Sequence, residues 1–309
     1  MSVLKPSVKE LVRVQGRIGF LYVEYAALLR DGGSLKAVRE TGTVLIPVAT
    51  VGTLWLGPSV TLTHQAMSLI TECGTTVMWM GEDGLAYYGS GRPLNSRTRL
   101  LSAQAEIHSS SRLRMKCARE MYAMRFDEEP PRSATTLNKL RGHESGRVKK
   151  SYSLYAGKYN ISWNGRVYRH GEIEKSDTIN QCLTMSHHCL YAVIGGVIHG
   201  LGLHPGLSVV HNGTQESFVY DIADLYKTQI CVPVAFRVAR DMDGASTYEI
   251  SRSIRSEMRL EMTAERIVPQ AVKDIYTLLL HEEVEASYDT IDSLWDIDGD
   301  TSSGRNYPL

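Results

Sequence analysis

The sequence predicts an α+β protein, a small β-rich N-terminal domain followed by a larger all-α domain. Three observations carry this. At 309 residues the chain is long for a single core and favours two domains. Short β-branched or aromatic runs bounded by Gly or Pro fill the first ninety residues. Beyond "GSGRPLNSR" at 89–97, apolar residues recur at spacings of three and four, the period of a helix.

The elements follow in order. "TVLIPVAT" and "TVMWMG" read as strands, and "GEDG" before "LAYY" reads as a hairpin turn. One helix interrupts them. Thr63 caps it, Ala66, Leu69, Ile70 and Cys73 form its apolar stripe, and Gly74 stops it. The Gly, Pro, Ser and Asn run supplies a linker at 91–97. A helix over 98–126 ends at "DEEPPRS". A second long helix carries Leu137, Leu140, Val148, Ser151 and Tyr155 on one side. After a loop or short hairpin, Asp177 caps a third helix, with Ile179, Leu183, Leu190, Ile194, Val197 and Leu201 as its stripe. Two further helices are expected at 217–240 and 247–286. The predicted domains are therefore 1–90 and 98–285, joined by the linker and followed by a loose acidic tail at 286–309. No internal repeat is present.

Composition narrows the class. The five cysteines are scattered without a C-x-x-C pair, which argues against a zinc ribbon or disulfide framework and favours a reducing compartment, the cytoplasm. The N-terminal dozen residues hold no apolar core of a secretory signal. The most apolar run, "CLYAVIGGVIHGLGL", falls short of the ~20 residues of a membrane span and contains His199, so it reads as a buried helix. The N-x-S/T matches at Asn160 and Asn212 then carry no glycan. Net charge is zero, with 34 basic and 34 acidic residues. The charges are unevenly placed. Residues 97–169 hold sixteen Lys and Arg against six Asp and Glu, and residues 281–300 hold eight acids with no Lys or Arg. A basic body suited to a polyanion, or a solvated helical surface, accounts for the first.

Two places on the helices raise chemical questions. Glu144 falls on the inward stripe of the second long helix. A carboxylate there needs a cation, a metal or a proton, because bare burial is costly. A slightly rotated helix would instead let it pair with Arg141 or Arg147. Gly142 and Gly146 flank it at a cost of about 1 kcal/mol each, which suggests close backbone approach. In "SFVYDIADLYK", Asp221 and Asp224 sit three apart on one side of a mostly apolar helix, where like charges repel. Ser217 as a cap and the helix dipole explain the first aspartate better than the second. Together with His211, Glu144 and Asp224 form a set that suits Mg²⁺ or Mn²⁺, and a metal would make the closeness of the aspartates useful.

Four ordered segments, "LRGHESGRVKKSYSLYAGKY", "SWNGR", "SDTINQCL" and "VVHNGTQESFVYDIADLYK", make the chain resemble the CRISPR-associated adaptation integrases, most closely their subtype I-E branch. The resemblance spans roughly residues 10–280. It implies a catalytic helical domain, a homodimer, and a larger complex with a small ferredoxin-like adaptation partner. It places the catalytic metal on Glu144, His211 and Asp224, with Asp221 alongside. His211 would serve as ligand or as proton acceptor. The implied reaction inserts spacer DNA into the CRISPR repeat by attack of a 3′-hydroxyl on a phosphodiester; the alternative is a metal-dependent endonuclease acting on branched or single-stranded DNA in repair. DNA phosphates would be held by Arg112, Arg114, Lys116, Arg141, Arg147, Lys149 and Lys150. Tyr25 occupies the place of an aromatic that stacks at a duplex end, or is a half-buried strand tyrosine. Two features depart from the family pattern: Thr214 stands where relatives often carry Lys, and the helix after Thr63 lacks Arg.

Overall fold

The computed structural model describes residues 18–81, 87–91, 98–168 and 172–281. The "GEDG" turn after Gly81, linker positions 92–97 and the acidic tail lie outside the described residues.

Among the described residues, eight strands build the N-terminal region: β1 (Ile18–Val23), β2 (Ala27–Asp31), β3 (Ser34–Arg39), β4 (Gly42–Ile46), β5 (Val51–Leu56), β6 (Thr61–Leu62), β7 (Thr76–Met80) and β8 (Tyr87–Ser90). They form two four-stranded sheets, ordered β1-β5-β7-β8 and β4-β3-β2-β6. β1, β5 and β7 run parallel, with β8 antiparallel at the edge. Alternating strand residues and one helix face supply the core, where Leu28, Leu35, Leu54, Leu56, Leu69 and Ile70 are fully buried. The helix α1 (His64–Glu72) begins as expected, with Thr63 accepting from the Ala66 N–H. The strand expected over 43–50 stops early. Pro47 cannot donate to a ladder, and Val48–Thr50 turn as a 3₁₀ segment.

The remaining elements are helical: α2 (Arg99–Ser109), α3 (Ser111–Phe126), α4 (Leu137–Tyr159), α5 (Thr178–Gly200), α6 (Ser217–Asp224), α7 (Val232–Asp241), α8 (Thr247–Ala264) and α9 (Ile267–Leu280). Three of the expected long helices are broken, each for a local reason. Ser110 takes an extended conformation and its hydroxyl accepts from Leu113 N–H, so the 98–126 helix becomes α2 and α3. The 217–240 helix is interrupted by a π-helical turn, Lys227–Cys231, just before Pro233, whose ring cannot join a regular ladder. The 247–286 helix breaks at Arg266, which adopts positive φ ahead of Pro269.

α5 is the axis of the helical region, buried on nearly every face and packed against α6, α7, α8 and α9. It also rests on the first sheet. A Cβ built on Gly195 would lie 3.3 Å from Met78 Cε, so α5 packs closely on the β7 side chain there. Among the described residues no helix is long and apolar enough to cross a membrane.

Candidate metal and DNA site

The site is built on an irregular loop held from both sides. Residues 204–211 have no regular structure, so their backbone groups need partners from elsewhere. On one side, α2 and α3 bind the carbonyls. Buried Gln104 donates to His204 O (2.8 Å) and Leu207 O (3.0 Å) and accepts from His204 N–H (3.0 Å). His108 Nδ1 donates to Ser208 O (2.8 Å), and Arg114 Nε to Val209 O (3.0 Å). On the other side, Asp221 takes the N–H groups. Its Oδ2 accepts from Val209 (2.5 Å) and Val210 (3.1 Å), and its Oδ1 from His211 N–H (2.9 Å). The same Oδ1 meets His211 Nδ1 at 2.8 Å.

The two aspartates of α6 therefore do different work. Asp221 is 1 % exposed and spends both oxygens on the loop and on the His211 ring. Both oxygens are already engaged by these N–H groups. With Nδ1–H donated to a carboxylate, His211 Nε2 is left to face Asp224, 4.0 Å from its Oδ2. The hydrogen bond to Asp221 raises the His211 pKa above the ordinary value, outweighing burial. Ser217 does not cap α6. Its hydroxyl donates to Thr214 O and accepts from Thr214 N–H, closing the preceding turn instead.

Glu144 reaches the same point from α4. The buried line of that helix runs through Leu140, Tyr152 and Ala156, with Glu144 and Val148 half-buried along it. Neither Arg141 nor Arg147 takes the carboxylate. Arg147 pairs with Glu128, while Glu144 Oε1 is in contact with Nη1 of Arg125 from α3. The same Nη1 lies 3.5 Å from Asp224 Oδ2. Lys227 pairs with the other Asp224 oxygen. Burial raises the Glu144 pKa; Arg125 opposes this. For Asp224 burial also pushes upward, but Lys227 and Arg125 prevail and lower it from its ordinary value. Ideal Cβ atoms on Gly142 and Gly146 meet nothing within 4 Å, so the close approach expected there is not made within the described residues.

Glu144, His211 and Asp224 thus converge on one pocket. Two carboxylates and an imidazole are donors suited to Mg²⁺ or Mn²⁺, and both carboxylates already reach one shared cationic atom, Arg125 Nη1. They fit a divalent ion on that ground. Among the described residues no three His, Cys, Asp or Glu side chains stand in a ready ligand cage, because the guanidinium lies between the acids.

A cavity of about 660 Å³ opens from this centre along α4, lined by Arg141, Lys149, Trp163, Arg166, His187 and Lys227. Its far wall is fixed by two of the motifs noted in the sequence. Asn180 of "SDTINQCL" accepts from Val167 N–H (2.8 Å) and Arg166 (3.0 Å), and donates to Gly165 O (3.2 Å). Trp163 of "SWNGR" packs on Tyr152 and Phe236, with ring centroids 5.0 and 5.6 Å away. These segments form one wall of the cavity.

The other basic candidates divide. Arg112, Arg141, Lys149 and Lys150 are exposed. Lys116 is exposed and lies 3.1 Å from His281 Nε2, while Arg114 and Arg147 are engaged within the chain. Tyr25 is in no strand. It sits between β1 and β2 at φ 50°, its N–H donated to Pro58 O, with 59 % of its surface exposed. Arg125 and Lys227 are the site residues that periodicity alone did not single out. The signal was present: Ala118, Met121, Tyr122 and Arg125 share one helix face, which puts a cation on a buried stripe.

This strand-then-helix fold is that of a solved DNA complex, "TtCas1-DNA". It matches at a TM-score of 0.65 and 33 % identity over 84 % of this chain and 95 % of that one. The model of the family "CRISPR associated protein Cas1" matches residues 21–129 and 123–274. The CRISPR-associated endonuclease Cas1 of Clostridium sp. (strain SY8519) is 37 % identical over 96 % of this chain and 97 % of its own length. That of Escherichia coli (strain K12) is 35 % identical over 84 % and 85 %. The chain belongs to the Cas1 family.

Proposed function

We propose that this protein is a divalent-metal-dependent DNA integrase of CRISPR adaptation, of the subtype I-E branch by its motifs. It joins a spacer 3′-hydroxyl to a repeat phosphodiester. The observation that carries the reading is the meeting of Glu144, His211 Nε2 and Asp224 at the head of a basic-lined groove. A bound Mg²⁺ or Mn²⁺ would supply Lewis-acid stabilisation of charge on the phosphate. The chain's own residues do the rest. Glu144 and Asp224 present carboxylate oxygens, and Asp221 orients His211 so that Nε2 serves as a ligand or accepts the proton of the attacking hydroxyl. Arg141, Lys149 and exposed Arg112, Lys116 and Lys150 hold phosphates by charge, independent of base sequence. The bond broken and the bond made are both phosphodiesters, so no nucleotide is consumed. Tyr25, exposed and held at positive φ, is suited to stack on a duplex end.

The assembly that goes with this reading is a homodimer bound to a small ferredoxin-like partner and acting in the cytoplasm; the five free cysteines are all buried. The domain limits 1–90 and 98–285 and the acidic tail at 286–309 belong to it as well. A second reading is endonuclease action on branched or single-stranded DNA; the relatives' names support its endonuclease part. Incubation with the partner, Mg²⁺, a DNA duplex bearing free 3′-hydroxyls and a repeat-containing plasmid separates them. Covalent joining that disappears in Glu144→Gln and Asp224→Asn supports integration. Cleavage of a branched duplex without joining supports the nuclease.

A further inference from the structure

Arg125 is the group whose placement the preceding reading leaves unexplained. Its side chain is 5 % exposed, and a single nitrogen, Nη1, meets both Glu144 and Asp224. Its Nε is buried and makes no hydrogen bond among the described residues. A permanent structural arginine in a buried site engages its fork on both sides, because each idle donor there costs free energy. Here the guanidinium touches the acids end-on, and its other flank rests on the Phe126 ring, 5.2 Å from the centroid.

The charges at the centre sharpen the point. Glu144 and Asp224 carry two negative charges, and Arg125 and Lys227 supply two positive ones in direct contact. The acids are neutralised without any metal. Lys227 is anchored on one side, against Asp224 Oδ1 and over the Tyr191 ring at 4.7 Å. Among the described residues Arg125 alone contacts both carboxylates, the two groups that a shared ion would use.

We propose that Arg125 is a resident counter-cation that holds Glu144 and Asp224 together in the metal-free protein and is displaced when a divalent ion binds. This rests on the metal site proposed above. Two consequences follow. The metal-free centre is held assembled, since its like charges are screened by the guanidinium. Metal affinity is set partly by the work of moving a buried arginine off the acids.

The test is Mn²⁺ titration of the full chain by calorimetry, with wild type, Glu144→Gln and Arg125→Gln side by side. Arg125→Gln is expected to bind Mn²⁺ on the order of tenfold tighter than wild type, because a unit positive charge a few ångströms away no longer competes. It should also lose thermal stability without metal and regain more than wild type when Mn²⁺ is added. Unchanged or weaker binding by a folded Arg125→Gln overturns the inference. Because that variant risks failing to fold, a structure of the wild-type protein with Mn²⁺ gives a second reading. Arg125 lifted from at least one carboxylate supports displacement, and both contacts intact beside a bound ion refute it. If wild type binds no Mn²⁺ that Glu144→Gln removes, the metal site itself is wrong and this inference falls with it. If wild type binds but Arg125→Gln gains nothing, only the displacement fails.

Discussion

Asp221→Asn isolates the positioning role, because it preserves size and leaves Glu144, His211 and Asp224 untouched. In either orientation of the amide, one former oxygen becomes an NH₂ group facing N–H donors. Placed at Oδ2, it strands Val209 and leaves Val210 only its longer contact to Oδ1 (3.3 Å); placed at Oδ1, it strands the His211 N–H and ring. At least one donor, buried or half-buried, then loses its charged acceptor, at about 1–3 kcal/mol. A loss of about 1–3 kcal/mol is expected, a large share of a typical domain stability but short of unfolding it. His211 also loses the main cause of its raised pKa, while burial continues to lower it. The linkage has a definite sign. A raised folded pKa contributes stability that is full below the unfolded value of about 6.5 and lost as pH rises through the folded value. In wild type, stability from this group should therefore decline with pH above about 6.5, and in Asp221→Asn that decline should vanish. Urea melts at several pH values, with NMR titration of the His211 ring, read both effects. A variant as stable as wild type, with His211 titrating unchanged, would refute the reasoning.

Three further outcomes are expected. His211 holds its proton to higher pH than usual, so Mn²⁺ affinity should rise as pH climbs above about 6.5, and calorimetry of His211→Asn should show a shallower rise. Neutralising Arg112 and Lys116 should weaken binding to any DNA and reduce the log–log salt slope by about two, whereas Arg114→Gln should mainly lower stability, by about 1 kcal/mol, because Val209 O loses its donor. Gly142→Ala and Gly146→Ala face open space, so each should raise helix stability by about 0.5–1 kcal/mol in urea melts; a drop in DNA affinity in the same variants would locate DNA on that face of α4.

The sequence by itself determined what local chemistry determines. Hydrophobic period separated the strand region from the helices, and the Thr63 and Asp177 caps fell where side-chain oxygens meet free N–H groups. It also marked Glu144 as a carboxylate on a buried line, and the motif resemblance pointed to His211 and Asp224 as its companions. Breaks at Ser110 and before Pro233 were less visible, because a continuing apolar stripe masks a single extended residue or a π-helical turn. Tertiary structure alone decided which distant groups meet. Asp221 and Asp224 are three apart and alike in sequence, yet one turns to the loop at 209–211 and the other to Arg125 of α3 and to Lys227. Arg125 meets Asp224 across 99 residues of chain, and Gln104 holds a carbonyl 100 residues away. Helical period is set by neighbours within a turn or two. The partner of a buried charge is set by which elements the core brings together, and that information is spread over the whole chain.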